Sequence, residues 1–125
     1  MNVPVQQLSP AEPAMPALWE IHPWGRSFRL LEQDRFSVRH LIIEAGKSIH
    51  LECHLHRNEH WLIVSGTGRV QRGNAEFDLF EGDSLDIGIG ETHRIANLGR
   101  MDLHMIEVRM GCYLADDDLV EGLPS

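Results

Sequence analysis

Histidine and glutamate side chains are concentrated in residues 46–61, which hold four histidines and two glutamates. Strand side chains alternate between two faces. A strand here would share one polar face among His50, Glu52, His54 and His56. Its other face would be formed by Leu51, Cys53 and Leu55. Imidazole nitrogens and carboxylate oxygens are good ligands for divalent transition metals. The pattern therefore indicates a metal cavity, and a solvated polar face is the alternative.

Composition excludes several classes of partner. The chain has 125 residues, a net charge of −8 and a pI of about 5.4, which argues against a nucleic-acid surface. Lys47 is the only lysine, and the arginines are scattered, which still suits one small anionic ligand. No apolar run has membrane-spanning length, and Cys53 and Cys112 form no CxxC pair. We expect no signal peptide. We expect a cytoplasmic protein with free thiols and no membrane partner.

Short strands separated by glycine-rich turns dominate the pattern. We expect an extended, proline-containing arm over residues 1–20 and a single domain over residues 21–125. Strands are predicted over 27–32, 35–44, 49–56, 59–65, 68–72, 76–80, 84–87, 92–98 and 102–109. An entry turn at residues 22–25, a hairpin at Gly73-Asn74 and one helical turn over 115–120 complete the prediction. These features are typical of an all-β antiparallel sandwich or barrel.

Two glycine-bounded motifs carry a family resemblance. The first reads Gly46-x5-Glu52-x-His54-x4-Glu59-x6-Gly66. The second reads Gly82-x5-Gly88-x-Gly90-x2-His93-x3-Asn97. Their spacing and order resemble the two cupin motifs, with Glu52 in place of the first histidine and Gly88 in place of proline. The resemblance implies a cupin double-stranded β-helix, a jelly-roll-like antiparallel barrel.

A narrower resemblance covers about residues 22–120. It rests on His-Pro-Trp-Gly (22–25), Glu-x-His-x-His-Arg-x-Glu-His-Trp (52–61), His93-Arg94-x-x-Asn97, Ile106-Glu107-Val108 and Gly111-x-Tyr113-Leu114. These residues resemble the C-terminal cupin domain of type II mannose-6-phosphate isomerases. In that family a mannose-1-phosphate guanylyltransferase domain usually precedes the cupin, so a free-standing isomerase cupin is expected here.

The resemblance implies a metal site formed by Glu52, His54, Glu59 and His93. It would hold one divalent transition metal, and the sequence does not choose among Zn, Mn, Fe, Co and Ni. The family usually carries glutamine where this chain has Glu52. Two carboxylates with two neutral imidazoles would cancel the charge of the ion. The ion would then be held more tightly but would polarise a carbonyl less.

Residues near this set are candidates for catalysis and substrate binding. His56 and Glu59 are candidate bases, and His56 is preferred because a free imidazole suits proton transfer near neutral pH better than a carboxylate that binds the metal. The candidate substrate-binding residues are Lys47, Arg57, Trp61 and Arg94. A regular strand would point Arg94 away from His93, so its role requires a bulge. A surface or structural role is the alternative for each, and His60 is predicted to be structural.

Together these features predict a metal-dependent isomerase that interconverts mannose 6-phosphate and fructose 6-phosphate, as the resemblance implies. The alternatives are a non-catalytic metal- or sugar-binding cupin and a cupin dioxygenase. The expected partners are a small sugar phosphate and a second copy of the chain. We expect a homodimer in which the arm and the apolar face of Leu51, Cys53 and Leu55 are covered across the interface.

Overall fold

The computed structural model describes residues 19–111 and 119–121, and every regular element within these ranges is a β-strand. The strands are β1 (Trp19–His22), β2 (Gly25–Glu32), β3 (Phe36–Ile43), β4 (Ser48–His54), β5 (Arg57–Ser65), β6 (Gly68–Arg72), β7 (Ala75–Leu79), β8 (Ser84–Ile87), β9 (His93–Ala96), β10 (Leu103–Gly111) and β11 (Leu119–Glu121). No helix within the described ranges has the length and apolar character needed to cross a bilayer.

The strands form two antiparallel sheets. The first has the order β1-β2-β3-β10-β5-β8 and the second the order β11-β4-β9-β6-β7. Alternate residues of β5, β6, β9 and β10 are buried, as period-2 geometry requires, and the core draws on both sheets. The buried core residues are Leu41, Ile43, Trp61, Ile63, Val70, Leu79, Ile87, Ile95, Leu103 and Met105. The predicted all-β antiparallel architecture is confirmed.

The predicted turns lie where glycine marked them. At the β6–β7 hairpin, Arg72 pairs with Ala75 across a two-residue turn, in which Gly73 has a φ of 57°. That left-handed conformation suits glycine. The entry turn is also observed, because His22 pairs with Gly25 in the β1–β2 hairpin. The predicted strands over 68–72 and 84–87 coincide with β6 and β8.

The structure describes part of each terminal prediction. Trp19 and Glu20, predicted to be in the arm, belong to β1 and pair with Phe28 and Ser27 of β2. The helical turn predicted over 115–120 is wrong at its end, because residues 119–121 form β11 and pair with β4. Strand pairing outweighs the weak local preference of so short a segment. Residues 1–18 of the predicted arm and residues 115–118 of the predicted turn lie outside the described residues.

A bulge in β4 changes which side chains face inward. The pairing of β4 with β9 shifts register between Ile49 and Glu52, so the alternation is interrupted there. Ile49, Glu52 and His54 consequently border the interior cavity, whereas His50 is exposed. The strand also ends at His54, which leaves His56 exposed in the following turn. The prediction that His50 and His56 share the face of Glu52 and His54 is therefore wrong.

A histidine pair lies on the opposite side of the larger sheet. His40 of β3 and His104 of β10 alternate along their strands with buried core residues, so they lie on the outer face of the sheet. The Nε2 atom of His40 is 2.9 Å from the Nδ1 atom of His104. One ring must donate and the other accept, so the bond requires at least one neutral ring. Burial, followed by the positive charges of His104 and Arg26, lowers the pKa of His40.

This shift predicts an acid-sensitive contribution to stability. The folded-state pKa of His40 is below its ordinary value of 6.5, so the unfolded chain takes up the proton first as pH falls. Wild-type protein should lose stability as pH falls through about 6.5, and His40→Gln should lose less. Melting temperatures measured at several pH values from neutral to mildly acidic would test this. His60→Gln, which changes a more exposed histidine, is the control, and identical pH slopes for His40→Gln and wild type would contradict the assignment.

Candidate active site

Four polar side chains from three strands meet between the two sheets. Glu52 and His54 lie on β4, His93 begins β9, and Glu59 lies on β5 of the opposing sheet. Glu52 and His93 are directly paired in the β4–β9 register, which brings residues 41 positions apart side by side. His54, His93 and Glu59 are buried, and Glu52 remains partly exposed.

The ligand atoms of three of these residues form a compact group. One atom each from Glu52, His54 and His93 lies within 4.8 Å of the others. The Oε2 atom of Glu52 is 3.6 Å from His54 Nε2 and 4.0 Å from His93 Nε2. Glu59 approaches both histidines from the opposite sheet, at 3.3 Å from His54 Nε2 and 3.9 Å from His93 Nε2. The geometry thus brings together the four residues that the motif spacing singled out.

The hydrogen bonding of His93 prepares it to accept a cation. Its Nδ1 atom lies 3.0 Å from the backbone carbonyl of Glu91, which can only accept, so Nδ1 carries the proton. The Nε2 atom then carries a lone pair. Within the described residues this buried atom has no hydrogen-bond partner. A metal-binding histidine usually has this arrangement, with its second nitrogen fixed by a carbonyl.

Glu59 is held in place by two donors. Arg57 donates from Nε to Glu59 Oε2 at 2.9 Å, and Trp61 donates from Nε1 to Glu59 Oε1 at 3.0 Å. These three residues alternate along β5, so all of them face inward. Burial would raise the pKa of Glu59, but the charge of Arg57, with His93, Arg109 and His54, lowers it. Glu59 is therefore a buried carboxylate in its charged form.

A cavity of about 210 Å³ adjoins this cluster. Its charged and imidazole-bearing lining residues are His22, Arg39, Glu52, His54, Arg57, Glu107 and Arg109. With neutral histidines, three positive groups face two negative ones in the lining, and the carboxylate of Glu59 beside Arg57 balances the third. A bound divalent cation would leave an excess of positive charge that favours an anionic ligand. Trp24 adds an apolar surface and stacks on His22, with ring centroids 4.3 Å apart. Such an indole suits one face of a sugar ring.

A second buried ion pair lies on the inward face of β10. Arg109 donates from Nε to Glu107 Oε1 at 2.5 Å, and both residues are nearly fully buried. Burial, together with the negative charge of Glu59, raises the pKa of Glu107, although Arg109 opposes that shift. Glu107 is thus a cavity-lining carboxyl group whose pKa is displaced towards the range useful for proton transfer.

The remaining sequence-predicted residues have different positions. Arg57 is 2% exposed, begins β5 and lines the cavity. Trp61 is buried in the core beside Glu59. Lys47 and His56 are exposed and outside the cavity lining. Arg94 also points outward, as strand alternation predicts, and its Nη2 donates to Ser48 Oγ at 3.3 Å.

Five charged or aromatic cavity residues were not proposed as site residues from the sequence, although three of them, His22, Trp24 and Glu107, lie within the motifs of the family resemblance. The five are His22, Trp24, Arg39, Glu107 and Arg109. A signal was available for three of them. Arg39 has the same strand parity as buried Leu41 and Ile43, and Glu107 and Arg109 have that of buried Leu103 and Met105. Charged residues on an otherwise apolar, inward-facing stripe mark a buried polar site.

The architecture matches that of solved double-stranded β-helix proteins. A conserved protein with a double-stranded β-helix domain from Klebsiella pneumoniae superposes with a TM-score of 0.69. The match covers 78% of this chain and 83% of that chain at 20% identity, so it bears on fold alone. The predicted cupin double-stranded β-helix is confirmed.

Sequence relatives place the chain more narrowly. It is 42% identical over 98 residues to the xanthan biosynthesis protein XanB of Xanthomonas campestris pv. campestris, covering 78% of this chain and 21% of that protein. It is 40% identical over 100 residues to a mannose-1-phosphate guanylyltransferase of Sinorhizobium fredii, covering 80% of this chain and 20% of that protein. The chain thus spans about a fifth of the length of these curated relatives.

The model of one protein family, described as mannose-6-phosphate isomerase C-terminal, matches residues 17–122. This range includes both glycine-bounded motifs, all four converging polar residues and the five cavity residues that were not proposed as site residues from the sequence. The chain therefore belongs to the family of mannose-6-phosphate isomerase C-terminal domains.

Proposed function

We propose that this chain is a metal-dependent aldose–ketose isomerase that interconverts mannose 6-phosphate and fructose 6-phosphate. The observation that carries the proposal is the convergence of Glu52, His54 and His93, joined by Glu59, beside an arginine-rich cavity. Membership of the family supports the same reaction class. A sugar phosphate meets both requirements of the site, because it has a carbonyl to be polarised and an anionic group to be bound.

The donor set fits a divalent transition metal. Two imidazole nitrogens and two carboxylates suit Zn, Mn, Fe, Co or Ni, and the buried Nε2 of His93 is otherwise without a hydrogen-bond partner among the described residues. Glu52, His54, Glu59 and His93 would hold the ion. When bound, it would supply Lewis-acid polarisation of the substrate carbonyl.

The cavity arginines would orient the substrate. Arg39 and Arg109 line the cavity, and a guanidinium binds phosphate oxygens through two parallel hydrogen bonds. Trp24 would pack against the apolar face of the sugar. These residues replace Lys47 and Arg94 as our preferred substrate contacts, because the latter two are exposed outside the cavity lining.

We assign the proton transfer between the two sugar carbons to Glu107. Isomerisation needs a base that faces the substrate and has a pKa near the working pH. Glu107 lines the cavity, and burial raises its pKa. Glu59 is a proposed metal ligand whose pKa is lowered by Arg57, and His56 is exposed outside the cavity lining, so both are weaker choices than the sequence indicated.

One experiment tests the reaction directly. Purified protein would be analysed for bound metal, loaded with Mn²⁺, Co²⁺ or Zn²⁺, and supplied with mannose 6-phosphate. We expect fructose 6-phosphate to form, and we expect Glu107→Gln to reduce turnover by roughly 100-fold or more while the variant still binds metal. His60→Gln, on the outer face, is the control that should keep full activity. A metal-loaded wild-type protein that forms no fructose 6-phosphate would contradict the isomerase proposal.

A second candidate is a non-catalytic sugar-phosphate-binding cupin. The observation that favours it is the hydrogen bond from Arg57 Nη2 to His54 Nε2, at 2.8 Å, which engages one of the candidate ligand nitrogens. In this case the arginine-rich cavity would bind the sugar phosphate without turnover. Calorimetry would then detect mannose 6-phosphate binding in the metal-free protein, whereas no product would form with any of the three ions.

We also propose that the chain forms a homodimer. The outer face of the larger sheet exposes apolar residues on adjacent strands, including Leu62 and Val64 of β5 and Met110 of β10, which are 39%, 46% and 38% exposed. Exposed apolar residues on one face of a sheet favour a self-complementary interface. Light scattering at micromolar concentration should give twice the monomer mass, and Val64→Glu should lower it. A monomeric wild-type mass would refute the dimer.

A further inference from the structure

The guanidinium of Arg57 lies against His54 and Glu59, where a metal ion would bind. Its guanidinium is buried, contacts Glu59 through Nε and Nη2, and donates from Nη2 to His54 Nε2 at 2.8 Å. Arginine can only donate, so this histidine nitrogen must accept with its lone pair. The same nitrogen is the one nearest to the carboxylates of Glu52 and Glu59, at 3.6 Å and 3.3 Å. A metal ion in the cluster would require that lone pair.

We propose that the Arg57 guanidinium and a divalent metal ion are alternative partners of His54 Nε2. The inference rests on the proposed metal site. Without metal, Arg57 joins His54 to Glu59 and satisfies both. When an ion binds, Nη2 leaves His54, while Nε keeps its hydrogen bond to Glu59. Because Arg57 lines the cavity, the released donor becomes available to a substrate oxygen.

The two histidines therefore differ in their readiness for metal. His93 Nε2 has no hydrogen-bond partner within the described residues, so an ion gains that ligand without displacing anything. His54 Nε2 must first be released by Arg57. A hydrogen bond to a charged group corresponds to roughly a 10- to 100-fold factor in an equilibrium constant. Arg57 should therefore weaken the affinity of the site for metal by about that factor.

The test compares zinc affinity in Arg57→Met and Arg109→Met by isothermal titration calorimetry with a competing chelator. Arg109 is the matched control, because it is a buried arginine that lines the same cavity and acts on the charge of Glu59, but pairs with Glu107. We expect zinc to bind Arg57→Met about 10- to 100-fold more tightly than wild type. Arg109→Met should show a much smaller gain. Equal gains would attribute the effect to charge alone and overturn the inference.

Other outcomes separate this inference from the proposed function. If wild type binds no zinc but Arg57→Met does, Arg57 occupies His54 Nε2 permanently. That result would support the competition and contradict the metal-dependent reaction. If no variant binds zinc, both the competition and the metal-dependent reaction are contradicted. If Arg57→Met does not fold, as judged by circular dichroism, side-chain NMR of wild type decides. Zinc should then shift the Arg57 guanidinium and His54 Nε2 resonances together, and an unmoved Arg57 signal would overturn the inference.

Discussion

In the His93→Ala variant, zinc affinity is expected to fall by more than 100-fold, and the metal-dependent reaction should be lost with it. Replacing residues that only orient a ligand costs roughly 10- to 100-fold in metal affinity, so removing a ligand itself should cost more. His93 is the ligand with the strongest structural evidence. Its Nδ1 is fixed by the Glu91 carbonyl, and its buried Nε2 faces the carboxylates of Glu52 and Glu59. Metal content per mole and zinc calorimetry measure the effect directly.

The matched control is His104→Ala. This variant also removes one partly buried imidazole from a histidine pair, but on the outer side of the larger sheet. It should bind zinc as wild type does. If His93→Ala and His104→Ala both keep stoichiometric zinc, the ion does not depend on the Glu52–His54–His93 group, and the metal assignment is wrong.

Stability measurements separate ligand loss from packing loss. The His93 ring stacks on His54 and meets Trp61 edge-on, so alanine removes packing as well as a ligand. In the metal-free protein, however, alanine also removes a buried acceptor that has no hydrogen-bond partner among the described residues, which partly offsets that loss. The decisive quantity is therefore the increase in melting temperature on adding zinc. It should be present in wild type and absent in His93→Ala, since a ligand stabilises only the state that it binds.

Much of this site could be predicted from residue spacing, for a physical reason. Alternation along β4 and β5 places Glu52 with His54 and Glu59 with Trp61 on inward faces, and glycines mark the turns between the strands. The pairing of Glu52 with His93 is long-range, so in the sequence only the family motifs link those residues. The hairpin at Gly73 was predictable because its two-residue turn is a local feature.

The failures have equally specific causes. A bulge between Ile49 and Glu52 has no local signal here, because it is imposed by the pairing of β4 with β9. The predicted strands over 49–56 and 59–65 leave Arg57 between them, although it begins β5 and shares the inward parity of Glu59. The short strands β1 and β11 depend on their partners β2 and β4 rather than on their own composition. Pairing across the sheet therefore determines what the sequence pattern leaves open.

The inward arginines also change the charge argument made for Glu52. With four ligands alone, a divalent ion and two carboxylates would give a neutral site that attracts a sugar phosphate weakly. Arg39, Arg57 and Arg109 add three buried or nearly buried positive charges beside that cluster, and only Glu107 is added on the negative side. A metal-loaded site would thus remain positive overall. The carboxylate at position 52 therefore does not by itself exclude an anionic substrate.

The Glu59→Gln substitution is expected to destabilise the fold by about 3–5 kcal/mol at neutral pH, the cost of leaving one partner of a buried ion pair uncompensated. Glu59 and Arg57 are each 2% exposed, and Glu59 accepts hydrogen bonds from both Arg57 and Trp61. Glutamine has the same shape but no charge. Its NH2 group cannot accept a hydrogen bond, so either Arg57 or Trp61 would lose the acceptor that Glu59 provides. Urea unfolding of the metal-free protein, followed by circular dichroism, measures the difference.

Two further measurements identify the Arg57–Glu59 pair as the cause. The double variant Arg57→Met/Glu59→Gln should recover most of the lost stability, because it leaves no buried charge unpaired. Since the pKa of Glu59 is lowered in the folded protein, its contribution is present above about pH 4.5 and is lost as pH falls through the folded-state value. The gap between wild type and Glu59→Gln should therefore narrow in acid. A gap that is independent of pH, with strictly additive costs in the double variant, would show that the pair does not act as a unit.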